Sequence, residues 1–314
     1  MKNLVVLTGP TAVGKTSLSI NLAKAINGEI ISADCMQVYK KMDIGTAKIK
    51  PEEMDGVTHY LIDIIDPKDD FHVVYFKEMV EKAIDAIYKK GKIPIICGGT
   101  GFYIQAVLYD IQFTEQDIDI AYRQELENYA DVYGDEALWE QLKKVDEESS
   151  ESIPSANRKR VIRALEYYKQ TGEKFSIHNK RERERKSPYN FAYFVLNDDR
   201  KSLYDRINLR VDKMIESGLV DEVEALLEYG CKPGMTSMDG IGYKEIIKYI
   251  NGEYSLKEAI EIIKQNSRHY AKRQLTWFRR EKEVIWLDKS LYTDEDRLLN
   301  EVLSCLKKKG IIQC

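Results

Sequence analysis

The residue pattern with the clearest chemical meaning lies at positions 9–16, where the sequence reads G-P-T-A-V-G-K-T. It matches the P-loop pattern G-x-x-x-x-G-K-[ST] in full, with an apolar strand-like run before it and a helix-like segment after it. The glycines of such a turn let backbone N–H groups point at phosphate oxygens, and the start of the helix adds a positive dipole. The pattern predicts binding of a diphosphate or a triphosphate, without specifying ATP.

Two positions of the P-loop have individual roles. Lys15 supplies a positive charge to the phosphates, and the Thr16 hydroxyl is the expected ligand for Mg²⁺, the one cofactor that we predict. The predicted diphosphate-binding residues are Gly9, Pro10, Thr11, Ala12, Val13, Gly14, Lys15 and Thr16.

Two further polar residues follow predicted strands. Asp34 follows the apolar run at 29–33, and Thr100 lies in G-G-T-G-F-Y at 98–103, directly after the run at 93–97. Ligands of open parallel sheets bind at the carboxyl ends of the strands, so Asp34 can serve as a general base or a metal ligand. The alternatives are structural, because Asp34 can cap a turn and Thr100 can cap the next helix.

The order of the elements predicts an α/β fold. Strand-like and helix-like runs alternate at 3–8, 15–26, 29–33, 59–64, 74–90 and 93–97, which is typical of a P-loop parallel-sheet core with helices on both faces. From about residue 112 the sequence becomes helical and highly charged, and strand-like runs return at 191–196 and 284–287. We therefore expect a catalytic core of 1–111 and 191–314, with a mainly helical insertion at 112–190. Within it, 180–188 is expected to be exposed and mobile.

Charge is distributed unevenly along the chain. The net charge is −4, but 112–153 carries −10, 155–190 carries +7 and 264–280 carries +6. A protein that binds a polyanion needs a basic face rather than a basic total, so the two basic segments are candidate nucleic-acid contacts. The alternative is that they are solvated helix faces.

Several classes of protein do not fit the sequence. The N-terminus reads as a first strand rather than a signal peptide, and no apolar run is long enough to cross a membrane. Five widely spaced cysteines and four histidines show no disulfide framework and no metal-ligand spacing. These features lead us to expect a cytoplasmic protein without a membrane partner.

Taken together, the motifs resemble those of the tRNA dimethylallyltransferase family, also called tRNA isopentenyltransferases. The resemblance lies in the P-loop and in five further segments: I-S-A-D-C-M-Q-V-Y at 31–39, M-D-I-G-T-A-K at 42–48, G-G-T-G-F-Y at 98–103, M-D-G-I-G-Y at 238–243 and A-K-R-Q-L-T-W-F at 271–278. Cys35 is a departure, since we expect Ser at that position. No C-terminal zinc-finger spacing is present, so bacterial members are the nearer comparison.

The resemblance implies that dimethylallyl diphosphate and tRNA react to give an N-alkylated adenosine, 3′ of the anticodon, and pyrophosphate. It implies catalytic roles for Asp34, Thr100 and an arginine. Arg206 is our candidate arginine and Arg210 the second. The two are four residues apart, so they share one helix face beside an apolar stripe, and the spacing alone does not favour either. We expect the protein to act as a monomer on the anticodon stem-loop.

The same resemblance implies which residues contact tRNA. They are Asp34, Cys35, Met36, Gln37, Thr100, Arg123, Lys159, Arg160, Val161, Ile162, Arg163, Met238, Asp239, Gly240, Ile241, Gly242 and Tyr243. Arg123 has the alternative of pairing with Glu127 within its own helix. Tyr270 and Trp277 can stack on bases or pack in the core.

Two other functions remain open at this point. A P-loop kinase of a small metabolite would use Asp34 as its base and Asp63 as a metal ligand, and it would consume ATP. A non-catalytic RNA-binding protein would use its P-loop only to sense nucleotide.

Overall fold

The computed structural model describes residues 2–113 and 119–313. Its six strands are β1 (Lys2–Thr8), β2 (Gly28–Ala33), β3 (His59–Tyr60), β4 (Ile93–Gly98), β5 (Tyr189–Asn197) and β6 (Val284–Asp288). They form one parallel sheet in the order β3-β2-β4-β1-β5-β6. The predicted α/β class is confirmed.

The helices fall into an N-terminal, a middle and a C-terminal group. The first group is α1 (Lys15–Ala25), α2 (Val73–Lys89) and α3 (Gly101–Leu108). The middle group is α4 (Ile120–Tyr133), α5 (Asp135–Val145), α6 (Glu147–Ser152), α7 (Arg158–Thr171) and α8 (Phe175–Glu184). The last group is α9 (Arg200–Glu216), α10 (Leu219–Glu228), α11 (Tyr243–Ile250), α12 (Leu256–Phe278) and α13 (Glu295–Lys308).

The centre of the sheet is buried on both faces. Residues 4–8 of β1 are all buried, and successive side chains of a strand point to opposite faces, so both faces are covered. On one face Val5 and Leu7 pack in a cluster with residues of α1 and α13. Continuous apolar runs are typical of parallel strands for this reason.

The chain divides into two compact units. The core unit is Met1–Leu108 with Pro188–Cys314, and the helical unit is Tyr109–Ser187. The helical unit has its own apolar cluster, built around Leu138, Leu142 and Val161. An RNA-binding role for the helical part of the chain stays a prediction. Among the described residues, no helix is long and apolar enough to span a bilayer.

Most residues of the run at 180–188 are exposed, as predicted, but its first half belongs to helix α8, and its mobility stays a prediction. Helix α8 continues to Glu184, and Glu182 is buried. The Glu182 carboxylate accepts the N–H of Gln112 at 3.0 Å and pairs with Arg185 at 2.8 Å. Glu182 is therefore paired within the helical unit, which local composition did not reveal.

A buried carboxylate joins three elements at the amino end of the sheet. Glu29 on β2 is 2% exposed and accepts hydrogen bonds from the Tyr60 hydroxyl at 2.7 Å, from Lys90 at 3.0 Å and from Lys92 at 2.9 Å. Burial alone would raise the pKa of Glu29, but the hydrogen bonds from Lys92, Tyr60 and Lys90 outweigh it and lower the pKa to about 2. The ionised carboxylate is thus part of the folded structure.

We expect Glu29→Gln to lower the free energy of unfolding by about 1–3 kcal/mol at pH 7, because the two ammonium groups lose a charged partner. A carboxyl with a lowered folded pKa stabilises the fold above its unfolded pKa and loses that effect as the pH falls. The difference between wild type and variant should therefore shrink from pH 4.5 towards pH 2. Urea unfolding across this range measures it, with the exposed Glu52→Gln as the control. A difference that does not depend on pH would contradict the assignment.

Candidate active site

Three of the predicted site segments begin at the carboxyl ends of the neighbouring strands β1, β2 and β4. Strand β1 pairs with β4 so that Thr8 lies opposite Gly98, and β2 pairs with β4 so that Ala33 also lies opposite Gly98. The P-loop after β1, Asp34 after β2 and the turn at 98–101 after β4 are therefore neighbours. The parallel register of three strands creates this arrangement.

A cavity of about 1160 Å³ opens at these strand ends. Helices α1, α9 and α12 and the segment 43–50 contribute to its lining. The lining includes Thr11, Lys15, Thr16, Asp34, Gly99, Arg206, Arg210, Tyr270 and Gln274. Residues that are far apart in the sequence thus meet around one space.

The P-loop lysine lies at the first residue of α1. Its Nζ donates hydrogen bonds to the carbonyl oxygens of Gly9 at 3.0 Å and Pro10 at 2.8 Å. Burial lowers the pKa of Lys15 to about 8, because the surrounding protein disfavours the ammonium, while the negative charge of Asp34 opposes this shift. An anion in the cavity would restore the charged form.

Asp34 and Thr100 lie together where β2 and β4 end. The Asp34 carboxylate accepts the N–H of Met36 at 2.9 Å, which holds the turn after β2. Thr100 donates its N–H to the carbonyl of Ala33 at 3.1 Å, and its hydroxyl oxygen accepts the N–H of Cys35 at 3.3 Å. Thr100 therefore connects the two strand ends, and the second carboxylate oxygen of Asp34 is left for other partners.

Gln274 joins two of these segments, and its role was missed at the level of sequence. Its side-chain oxygen accepts the N–H of Thr11 at 2.9 Å, and its side-chain nitrogen donates to the carbonyl of Gly99 at 3.0 Å. A Cβ at position 99 would lie 2.1 Å from that nitrogen, and one at position 101 would lie 2.2 Å from the Trp277 ring. The signal was available, because Gln274 and Trp277 belong to the segment 271–278 that carried the family resemblance.

The two candidate arginines differ in their partners. Arg206 donates to the carbonyl oxygen of Ala12 at 3.0 Å and forms an ion pair with Asp198 at 2.6 Å. Arg210 is exposed to the cavity, and its charge interacts with Asp34. The surrounding protein lowers the pKa of Arg210, an effect that Asp34 opposes. Arg206 is thus engaged in holding the P-loop, while Arg210 faces the open space.

The predicted tRNA contacts fall into two groups by exposure. In the core unit Met238 and Tyr243 are 1% exposed, and Gly242 is buried, whereas Asp239 is exposed. In the helical unit Val161 and Ile162 pack in the apolar cluster. The side chains of Met238, Tyr243, Val161 and Ile162 are therefore packed inward and do not form an exposed surface for RNA.

The predicted tRNA contacts of the helical unit that are exposed carry positive charge. Lys159 and Arg160 are exposed on α7, and Arg163 is partly exposed. Arg123 pairs through two hydrogen bonds of 2.7 and 2.8 Å with the buried Glu166. The alternative of a pairing with Glu127 within α4 is thus replaced by a pairing between α4 and α7, and the tRNA contact of Arg123 stays a prediction.

Helix α12 presents a second basic surface in the core unit. A cavity of about 390 Å³ is lined by His269, Lys272, Arg273, Thr276, Trp277 and Arg280, which share one helical face. Tyr270 lines the larger cavity instead. Neither aromatic residue belongs only to the core.

Asp63, the metal ligand required by the kinase alternative, is engaged elsewhere. Its carboxylate pairs with Lys48 at 2.6 Å, and the Lys48 side chain is 5% exposed. Asp63 does not belong to the described residues that line the larger cavity. The arrangement does not favour a kinase.

Comparisons with known proteins agree on one family. A family model described as IPP transferase matches residues 37–281. The chain is 58% identical over 313 residues, covering 100% of both proteins, to a tRNA dimethylallyltransferase of Lachnoclostridium phytofermentans.

Solved structures give the same result. A tRNA isopentenylpyrophosphate transferase from Bacillus halodurans is 45% identical, with a TM-score of 0.74 and coverage of 99% of this chain and 98% of that one. A eukaryotic dimethylallyltransferase acting on tRNA is 28% identical, with a TM-score of 0.81 and coverage of 97% and 80%. With a matching family model over most of its length and a relative of this similarity, the chain belongs to the IPP transferase family.

Proposed function

We propose that this protein transfers a dimethylallyl group from dimethylallyl diphosphate to the exocyclic amine of the adenosine 3′ of the anticodon in tRNA. The observation that carries the proposal is one cavity in which a phosphate-binding loop, an arginine and a carboxylate meet. The relative from Lachnoclostridium phytofermentans, a tRNA dimethylallyltransferase, supports it. We expect the protein to work in the cytoplasm as a monomer.

Asp34 is the proposed general base. The exocyclic amine of adenine is a weak nucleophile, because its lone pair is delocalised into the ring, and it must lose a proton as it attacks. A carboxylate within hydrogen-bonding reach can accept that proton. Asp34 lies at the strand ends, beside the P-loop, with one oxygen used by Met36. Thr100 keeps this carboxylate in position by holding the turn through Cys35.

The diphosphate leaves with a charge that the protein must neutralise. As the C–O bond to the allylic carbon breaks, positive charge develops on the carbon and negative charge on the pyrophosphate. Lys15 of the P-loop and Arg210 of α9 both line the cavity, and we propose that both bind the diphosphate. Arg206 then acts indirectly, because it holds the P-loop through Ala12.

Thr16 fits the predicted Mg²⁺. Its side chain is exposed in the cavity next to Lys15, and Mg²⁺ typically combines few protein ligands with substrate phosphates and water. Among the described residues no cluster of three or more acidic, histidine or cysteine side chains could hold a metal by itself. When bound, the ion would contribute positive charge to the leaving pyrophosphate.

A labelled transfer assay tests the proposed function. Purified protein, tRNA and isotopically labelled dimethylallyl diphosphate should yield label in the tRNA, with pyrophosphate as the second product and no consumption of ATP. Label should map to a single adenosine beside the anticodon. Release of ADP in proportion to turnover would instead support the kinase alternative.

Asp34→Asn is the matched variant for that assay. It keeps the shape of the side chain but cannot accept the proton, so we expect turnover to fall by about 10²- to 10⁴-fold. Asp205→Asn, an exposed residue of α9, is the control and should retain full activity. Turnover of Asp34→Asn within a few fold of wild type would exclude Asp34 as the base.

Measurements of pyrophosphate binding and of thermal stability distinguish the roles of the two arginines. We expect Arg210→Gln to raise the Kd for pyrophosphate by roughly 10- to 100-fold, as for the loss of a charged hydrogen bond, with little change in thermal stability. Arg206→Gln should reduce thermal stability more and affinity less, because it removes the bonds to Ala12 and Asp198. Calorimetric titration and thermal unfolding give both values. The reverse pattern would assign the diphosphate to Arg206.

A salt series tests RNA binding by the helical unit. Replacing Lys159, Arg160 and Arg163 with Gln removes the cations for up to three phosphates. The log–log slope of tRNA affinity against salt should therefore become shallower by roughly 0.7 to 0.9 for each phosphate that is no longer neutralised. The control replaces Lys144, Lys307 and Lys308, which are exposed elsewhere. An equal slope in both triple variants would mean that α7 does not contact RNA.

A further inference from the structure

The carboxylate of Glu222 is surrounded by donors from two separate segments. One of its oxygens accepts the N–H groups of Asp43 at 2.8 Å and Ile44 at 2.7 Å. The other accepts the N–H of Gly45 at 3.0 Å and the hydroxyl of Tyr243 at 2.7 Å. Four donors thus converge on one side chain near the start of α10.

Three consecutive backbone N–H groups that point at one anion form a nest, and bonds from a nest to a carboxylate are charge-assisted. Here the anion is part of the protein itself. A Cβ at position 45 would lie 2.6 Å from the Tyr243 ring, so glycine is needed for the loop to approach the tyrosine. Gly45, Tyr243 and Glu222 are therefore fitted to one another.

The segment 43–48 that Glu222 holds is a wall of the larger cavity. Asp43, Ile44, Thr46, Ala47 and Lys48 line this space together with the P-loop. Without Glu222, the N–H groups of 43–45 would lose their acceptor, and the N-terminal part of the wall would lose its bonds to α10.

The far end of the same wall has a different support. The Gln37 amide donates to the carbonyl oxygens of Thr46 at 3.2 Å and Ala47 at 3.3 Å. A Cβ at Gly240 would lie 2.7 Å from the Met36 side chain, so the segments 34–37 and 238–243 are also in close contact. Glu222 thus joins the segments 43–48 and 238–243 directly, and each of these two segments also contacts 34–37.

We propose that Glu222 is a positioning residue for the transfer reaction, which holds the wall 43–48 against Tyr243 so that the cavity is shaped to receive the tRNA base. This inference rests on the proposed function. It assigns no chemical step to Glu222, which makes its contacts through backbone and tyrosine donors. It raises the fraction of molecules in which the wall 43–48 lies against Tyr243, and we call this arrangement the closed wall.

Glu222→Gln is the sharpest test, because it keeps the size of the side chain but replaces one acceptor oxygen with an NH₂ donor. That donor would face N–H groups of the loop. If the closed wall falls to about one tenth of the molecules, the KM for an anticodon stem-loop should rise about tenfold, since apparent affinity scales with the competent fraction. The kcat should change less than threefold.

Two readouts separate positioning from a general loss of stability. The amide protons of 43–45 should exchange with solvent faster in Glu222→Gln, and the Kd for pyrophosphate should stay the same, because the P-loop is held by Gln274 and Arg206 instead. Tyr243→Phe removes only the hydroxyl bond, and its effect should not add to that of Glu222→Gln. The exposed Glu228→Gln on the same helix is the control.

Unchanged exchange at 43–45, or faster exchange with an unchanged KM for the stem-loop, would overturn the assignment. A fall in kcat with both binding constants unchanged would also overturn it, because that is the result of a smaller folded fraction. If wild-type protein transfers nothing, the proposed function fails. The exchange rates and the stem-loop Kd then still decide whether Glu222 shapes a binding site.

Discussion

The side-chain amide of Gln274 connects the two backbone segments on which the site depends. With one oxygen and one nitrogen it bonds to the P-loop and to the turn after β4. It is 5% exposed, so both bonds are shielded from water. Helix α12 thus helps to hold the P-loop beside the turn after β4, and the absent side chains of Gly99 and Gly101 allow that helix to approach.

Much of the fold and part of the site were predictable, because they rest on local patterns. A parallel sheet is predicted by the apolar runs of β1, β2 and β4 and by a P-loop between strand and helix. The same pattern points to the carboxyl ends of these strands, where the larger cavity opens. What local patterns cannot give is the partner of a side chain. The spacing of Arg206 and Arg210 places them on one face of α9, but only the folded chain reveals that Asp198 and Ala12 occupy the first of them.

The same limitation explains why some residues were missed and why the burial of others was not predicted. Glu222 and Gln274 act through backbone N–H and carbonyl groups of distant segments, and a sequence does not display where those groups point. Val161 and Ile162 lie between cationic neighbours in a basic segment. They are on the inward face of α7, however, and their side chains pack in the core of the helical unit. Glu182 lies within a run of charges and is nevertheless buried, where its carboxylate pairs with Arg185 and accepts a hydrogen bond from the Gln112 N–H.

The position of β5 in the sheet has a consequence for how the protein is made. Strand β1 lies between β4 and β5 in the sheet and precedes both in the chain, and β5 follows the helical unit. One side of β1 therefore stays unpaired until the whole helical unit has been synthesised. The helical unit consists of neighbouring helices and can form early through local contacts, whereas the sheet requires pairing across a long loop, which is slow. During synthesis the exposed edge of β1, a run of buried apolar residues in the finished protein, is the part of the chain most open to wrong pairing.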